Sequence, residues 1–206
     1  MSAQNGFHYI AIPAKLVEFI HDELELDSKG YNSTSNFNYL FATINEFPPA
    51  EVAIPADLKE KIDYVASYLV FHIIRGHCFN DGNKRTAFLS LSIFLALNKM
   101  SSKYNEEKSI EALTQITNLI REGASPLKAI ETVFKEQPDS YEYRLIKVLY
   151  ELGGANSAVR YNSPMDIVPL IRDLTTEKPT SFQSHGFLFR FIDNIYEHIK
   201  TRFEKR

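Results

Sequence analysis

The stretch that decides the reading is Arg75-Gly76-His77-Cys78-Phe79-Asn80-Asp81-Gly82-Asn83-Lys84-Arg85-Thr86-Ala87. Ten of its thirteen residues are polar, charged or glycine, and it sits between two strongly apolar segments. Ahead of it, Leu58, Ile62, Val65, Leu69 and Ile73 recur every three or four residues, with Asp57 and Glu60 spaced as a capping box, so a helix over 57–75 is predicted. Behind it, the run from Ala87 to Leu97, broken only by Ser90 and Ser92, predicts a buried central helix too short to span a bilayer. The polar stretch is therefore a loop between core helices. Each residue there has an ordinary reading: His77 as a helix-end or satisfied histidine, Asp81-Gly82-Asn83 as a turn, Lys84 and Arg85 as a solvated face, Phe79 and Cys78 as core.

Together the loop residues read better as an anion site. A glycine turn opening a helix aims backbone N–H groups outward at the positive end of the helix dipole. Lys84 and Arg85 add positive charge, Asp81 is suited to holding Mg²⁺ against phosphate oxygens, and His77 to accepting a proton from an attacking hydroxyl. That is equipment for phosphoryl or nucleotidyl transfer. The Walker pattern, GxGxxG, the kinase HRD and DFG sets and HExxH are all missing, so the familiar ATP folds and zinc proteases are not supported.

Working outward, Ile110, Leu113, Ile116 and Ile120 predict a helix ended by Gly123, and Ser125-Pro126 opens another running to about Glu136. Upstream, Leu16, Phe19 and Ile20 predict a first helix and Phe37, Leu40, Phe41 and Ile44 a second. Three prolines and the Val52/Ile54 alternation between 47 and 55 suit an extended flap, the one β element expected. Past Gln137-Pro138 three further helices are signalled: Asp139/Glu142 before Leu145, Val148 and Leu152; Ser163-Pro164/Asp166 before Ile167, Leu170 and Leu174; and Phe187 through Phe203. These form either a helical subdomain or extra layers on the first core, and periodicity does not choose.

The 206 residues carry 23 Lys and Arg against 26 Asp and Glu, a net charge of −3, so no general basic field favours nucleic acid. Cys78 is the sole cysteine, which excludes an intrachain disulfide and a cysteine-based zinc site. Residues 1–16 lack the basic region and apolar run of a secretion signal; a cytoplasmic protein with no membrane or nucleic-acid partner is expected.

His77, Phe79, Asp81, Gly82, Asn83 and Arg85 spell HxFxDGNxR, and on these six positions in nine the chain resembles the Fic/Doc family. The residue after the asparagine is Gly in adenylyl-transferring Fic proteins and Lys in Doc-type toxins; here it is Lys84. Phe88 stands where many Fic signatures carry a second arginine, and 75–77, 83–87 and 94–98 also look like Doc. The resemblance runs over about 7–136, a catalytic domain at 1–136 with a helical extension of unassigned role at 137–206. It implies an all-α Fic fold, with ATP as substrate and Mg²⁺ as cofactor. For a Doc-type member it implies transfer of the ATP γ-phosphate to a hydroxyl of a target protein, translation elongation factor Tu in Doc, by a toxin paired with an antitoxin. Carried over by position, His77 is the base, Asp81 the metal and orientation residue, Gly82 opens the loop, and Asn83, Lys84 and Arg85 bind phosphate, with Arg75 a further candidate for the anion pocket. The 47–55 flap falls where the family docks its target segment by strand pairing. Adenylyl transfer by the same residues is the alternative, and a non-catalytic nucleotide- or partner-binding module the third reading. The self-inhibitory pattern [S/T]xxxE[G/N] has no full match. Thr132 to Gln137 comes nearest and fails at Gln137, so inhibition is expected from a partner in trans or from the C-terminal region.

Overall fold

The computed structural model describes residues 9–24, 30–31, 33–45, 57–154 and 161–176. Their order is α1 (Ala14–Asp22), α2 (Thr34–Asn45), α3 (Leu58–Arg75), α4 (Asn83–Leu97), β1 (Ser101–Ser102), α5 (Glu106–Arg121), α6 (Pro126–Val133), α7 (Tyr141–Leu152), a 3-10 turn (Pro164–Ile167), α8 (Val168–Leu174) and β2 (Thr175–Thr176). The fold is all-α, as expected from the periodicity. The 47–55 flap, the helix signalled over 187–203 and the side chains of Phe37 and Phe41 lie outside the described residues.

Helix α4 is the axis of the core. Thr86 through Leu95 are buried on every face, which explains why this helix shows apolar residues all round rather than along one stripe. Burial stops short of the expected limit at 97: Ala96 is half-buried and Leu97 is 36% exposed, because the chain turns there into Asn98 and Lys99. Helix α3 packs along α4, its start capped by the Asp57 carboxylate accepting the Glu60 N–H at 3.0 Å. Helix α5 is capped by Asn105 and followed by Gly123 at φ 101°, and α6 by Ser125 with Pro126 in its first turn. α6 ends at Val133, three residues before the expected Glu136, as Phe134 leaves helical geometry at φ −101°, ψ 20°.

The described part of the extension forms further layers on the same core. Leu145, Ile146, Leu149 and Leu152 of α7 and Ile171 and Leu174 of α8 join one continuous buried cluster with α3 and α4. Ser140, not Asp139, caps α7 by accepting the Tyr143 N–H, and Glu142 instead accepts the Asn105 N–H at 2.7 Å, tying α7 to the start of α5. Helix α8 is anchored on α3 through the fully buried Asp63, which meets Lys59 at 2.8 Å, Arg172 Nε at 3.5 Å and the Thr175 hydroxyl at 3.1 Å. A buried carboxylate requires such partners. Where the sequence suggested the flap alone as β structure, a short antiparallel ladder pairs Ser101 with Thr176 and Ser102 with Thr175. Two residues a strand carry no alternation that could announce it. No helix among the described residues is long and apolar enough to cross a membrane.

Candidate active site

The loop from Gly76 to Gly82 carries α3 into α4, and its shape is held from four directions. Phe79 is buried, stacks on His21 of α1 at 3.9 Å with the rings 9° from parallel, and meets the Tyr31 ring at 5.1 Å. His21, itself only 1% exposed, places Nε2 3.1 Å from the Asp81 carbonyl, so Nε2 carries the proton and donates it. The Asn80 N–H donates to the Gly30 carbonyl, and Asn36 Nδ2 of α2 donates to the His77 carbonyl at 2.6 Å. Asn83 closes the loop on itself: its Oδ1 accepts the Phe79 N–H at 3.0 Å while its Nδ2 donates to the Phe79 carbonyl at 2.7 Å. The side chain of Asn83 is thus a brace, and what it offers a ligand is its backbone at the start of α4.

Gly82 stands at φ 77°, ψ 3° as the N-cap of α4 and supplies no side-chain cap. Only glycine adopts this left-handed conformation without penalty, and the positive end of the fifteen-residue helix that it opens, Asn83 to Arg85, lines the cavity. His77 is at φ 42°, which a non-glycine residue adopts at a cost of about 1–3 kcal/mol. The Asn36 and Asn83 bonds and the burial of Cys78 and Phe79 on its C-terminal side hold it there. Cys78 is sealed in the core with its thiol pushed up to about 12 by burial, the small hydrophobe expected of it.

The cavity has a volume of about 290 Å³. The loop and the first turn of α4 form its floor: His77, Asn80, Asp81, Gly82, Asn83, Lys84 and Arg85 all line it. Ile74 of α3, Leu113, Thr117, Ile120 and Arg121 of α5 and Tyr150 of α7 make the walls. Arg75 does not line it; it ends α3 on the side where its charge is felt by the Tyr39 phenol. Lys84, Arg85 and Arg121 face the single carboxylate of Asp81, so the cavity is positive in a chain that is negative overall. Asp81 Oδ2 lies 3.4 Å from Arg85 Nη2 and 3.2 Å from Arg121 Nη2, and Oδ1 accepts the Gly82 N–H at 2.6 Å. Lys84 runs under the end of α7, its ammonium 4.7 Å from the centre of the Tyr150 ring. Burial pulls that ammonium below the ordinary lysine value, against the opposing pull of Asp81. A Cβ on Gly153 would come within 3.3 Å of the Lys84 Nζ, so α7 fits closely around this cation. The Tyr150 hydroxyl reaches Thr117 at 3.4 Å, and burial raises its pKa.

Arg121 and Tyr150 were not among the residues the sequence singled out. A basic residue in the last turn of a helix and an aromatic near an apolar stripe are both commonplace, so no local signal marks them.

A pocket floor made of a glycine-turned, cation-rich helix start, with a histidine at the rim, is an arrangement chemically able to hold a polyanion next to a proton acceptor. Residues 8–95, from the approach to α1 through Leu95 of α4 and including the whole loop, match the model of the Fic/DOC family. The match is to the family as a whole, Doc-type and other members alike. It ends before α5 and α7, so Arg121 and Tyr150 lie outside it. No curated protein and no solved structure matches the chain.

Proposed function

We propose that the protein is a Fic-type protein-modifying transferase, and that it moves the γ-phosphate of ATP to a hydroxyl of a target protein. One observation carries the reading: His77, Asp81, Lys84, Arg85 and the start of α4, all within the family-matched region, converge on a single cavity. The phosphates lie against the α4 amides, Arg85 and Lys84. His77 takes the proton of the target hydroxyl as its oxygen attacks the γ-phosphorus; the bond to the bridging oxygen breaks and ADP leaves. Asp81 fits Mg²⁺ as a single carboxylate, the arrangement in which this ion keeps its waters and is shared with substrate phosphates. When bound it would neutralise charge on the phosphate oxygens. Lys84 favours γ-transfer, because its long side chain fills space beside the first turn of α4 that a glycine would leave to the nucleotide. The Doc-like motif further suggests cytoplasmic work as a toxin restrained by an antitoxin, with elongation factor Tu as target.

ATP labelled separately at the α and γ positions tests the proposal in cell extract. Only the γ label is expected on protein. Transfer of the α label would make the protein an adenylyl transferase using the same residues, and ATP binding with no label transferred would make it a non-catalytic module.

A further inference from the structure

Arg121 ends α5 in a wall of the cavity, forty residues from Asp81 in the chain, yet its guanidinium shares one carboxylate oxygen with Arg85. The other Asp81 oxygen is taken by the Gly82 amide. Two guanidinium groups and a helix-start amide around one carboxylate form a donor set that phosphate oxygens satisfy at least as well, with more negative charge. As a device for stability the Arg121–Asp81 pair has little value: the Arg121 side chain is 46% exposed, and solvent-exposed ion pairs contribute little. Its position at the mouth of a positive cavity is what distinguishes it. The exposed side chain has room to follow a ligand, whereas Arg85, 11% exposed, is fixed in the floor.

We infer that Arg121 is a phosphate-binding residue of this cavity, held by Asp81 as a stand-in anion until the phosphates of a nucleotide replace that carboxylate. The inference rests on the nucleotide reading above. The exchange also frees Asp81 Oδ2 of the Arg121 guanidinium, leaving Arg85 as its one arginine neighbour there and opening the oxygen toward the metal role expected of it. Helix α5, beyond the family match, would thereby supply a determinant for phosphate-chain length.

Calorimetric titration of the full chain with metal-free ATP and with AMP tests this, using Arg121→Gln, Arg121→Lys, Asp81→Asn and the Asp81→Asn/Arg121→Gln double variant. Loss of one charge-assisted contact predicts roughly 10- to 100-fold weaker ATP binding by Arg121→Gln, a smaller loss for AMP, and partial recovery in Arg121→Lys. Asp81→Asn, with the stand-in anion gone, is expected to bind metal-free ATP several-fold more tightly than the unaltered protein. The Arg121→Gln loss should persist in the Asp81→Asn background, since it reports direct contact with phosphate. Unchanged ATP affinity in Arg121→Gln, or a loss that vanishes once Asp81 is Asn, overturns the inference and leaves Arg121 as an orienter of Asp81. Should Arg121→Gln fail to fold, Arg121→Lys must still show reduced discrimination between ATP and AMP, or the inference falls. Failure of the unaltered chain to bind ATP with or without Mg²⁺ would remove the nucleotide reading itself, a result distinct from the others.

Discussion

His77 holds a left-handed backbone at the rim of the cavity although no glycine relieves it, and Asn36 and Asn83 keep the segment in place. Strain of this kind persists where the surroundings over-determine it, and here it turns an exposed imidazole toward the pocket rather than into the core. His77→Ala should therefore lower transfer by roughly 10²–10⁴-fold. ATP affinity should change little, since the phosphates are held elsewhere, and calorimetry alongside the label-transfer assay checks both. His21 works at one remove, through the Asp81 carbonyl and the face of Phe79. His21→Leu keeps the volume but removes the donor, leaving the half-buried Asp81 carbonyl without it. A loss of about 1–3 kcal/mol in denaturant unfolding is expected, with weaker ATP binding that His21→Gln restores in part.

Among the elements, the junction of α3 with the loop is the most tightly fitted. A Cβ on Gly76 would lie 2.4 Å from Tyr39 Cε1 and 2.8 Å from the His72 carbonyl, so glycine is required there by close approach rather than by its φ of −70°. The same Tyr39 shares a hydrogen bond between its hydroxyl and Nδ1 of His72, whose ring also lies 4.2 Å from Tyr68. Gly76→Ala must push Tyr39 away or move the backbone, and overpacking of this kind costs about 1–3 kcal/mol, readable as a lower midpoint in urea. His72 also sets a pH dependence. Burial lowers its pKa to about 4 in the folded chain, against 6.5 for the free side chain. The neutral form is the folded one, so its contribution is complete above pH 6.5 and is lost progressively as pH falls toward 4. Unfolding midpoints across that window should decline with acidification, and His72→Gln should flatten the decline.

For the molecule as a whole, the described extension completes both core and pocket. Leu149 of α7 is fully buried in the shared cluster, and the next residue, Tyr150, lies over Lys84. Leu149→Ala is expected to cost about 2–5 kcal/mol of global stability, measured by guanidinium unfolding. Tyr150→Ala, at a side chain only partly buried against the core, should cost less stability than Leu149→Ala while weakening ATP binding, because it uncovers the Lys84 ammonium and opens one wall of the cavity. An equal fall in stability for both substitutions would mean that α7 serves the core alone.

Periodicity and end signals made α3, α4, α5 and α6 readable from the residues, because Asp57, Gly123, Ser125 and the apolar spacing act within a few positions of each other, whereas the Asn105 cap of α5 went unread. The loop was equally plain: His77, Asp81, Gly82, Lys84 and Arg85 are chemically conspicuous and adjacent in the chain. Ser140 in place of Asp139 as a cap, and the two-residue ladder of 101–102 with 175–176, turn on single hydrogen bonds that neighbouring residues could have made as well. Whether residues beyond 137 stood apart was open until Leu145, Leu149 and Leu152 were seen in the same core as α3 and α4. The same packing brought Arg121 and Tyr150 to a pocket whose floor carries Asp81, 40 and 69 residues earlier in the chain. Side chains so ordinary become functional candidates through the company that long-range burial imposes, and local spacing carries no trace of that company.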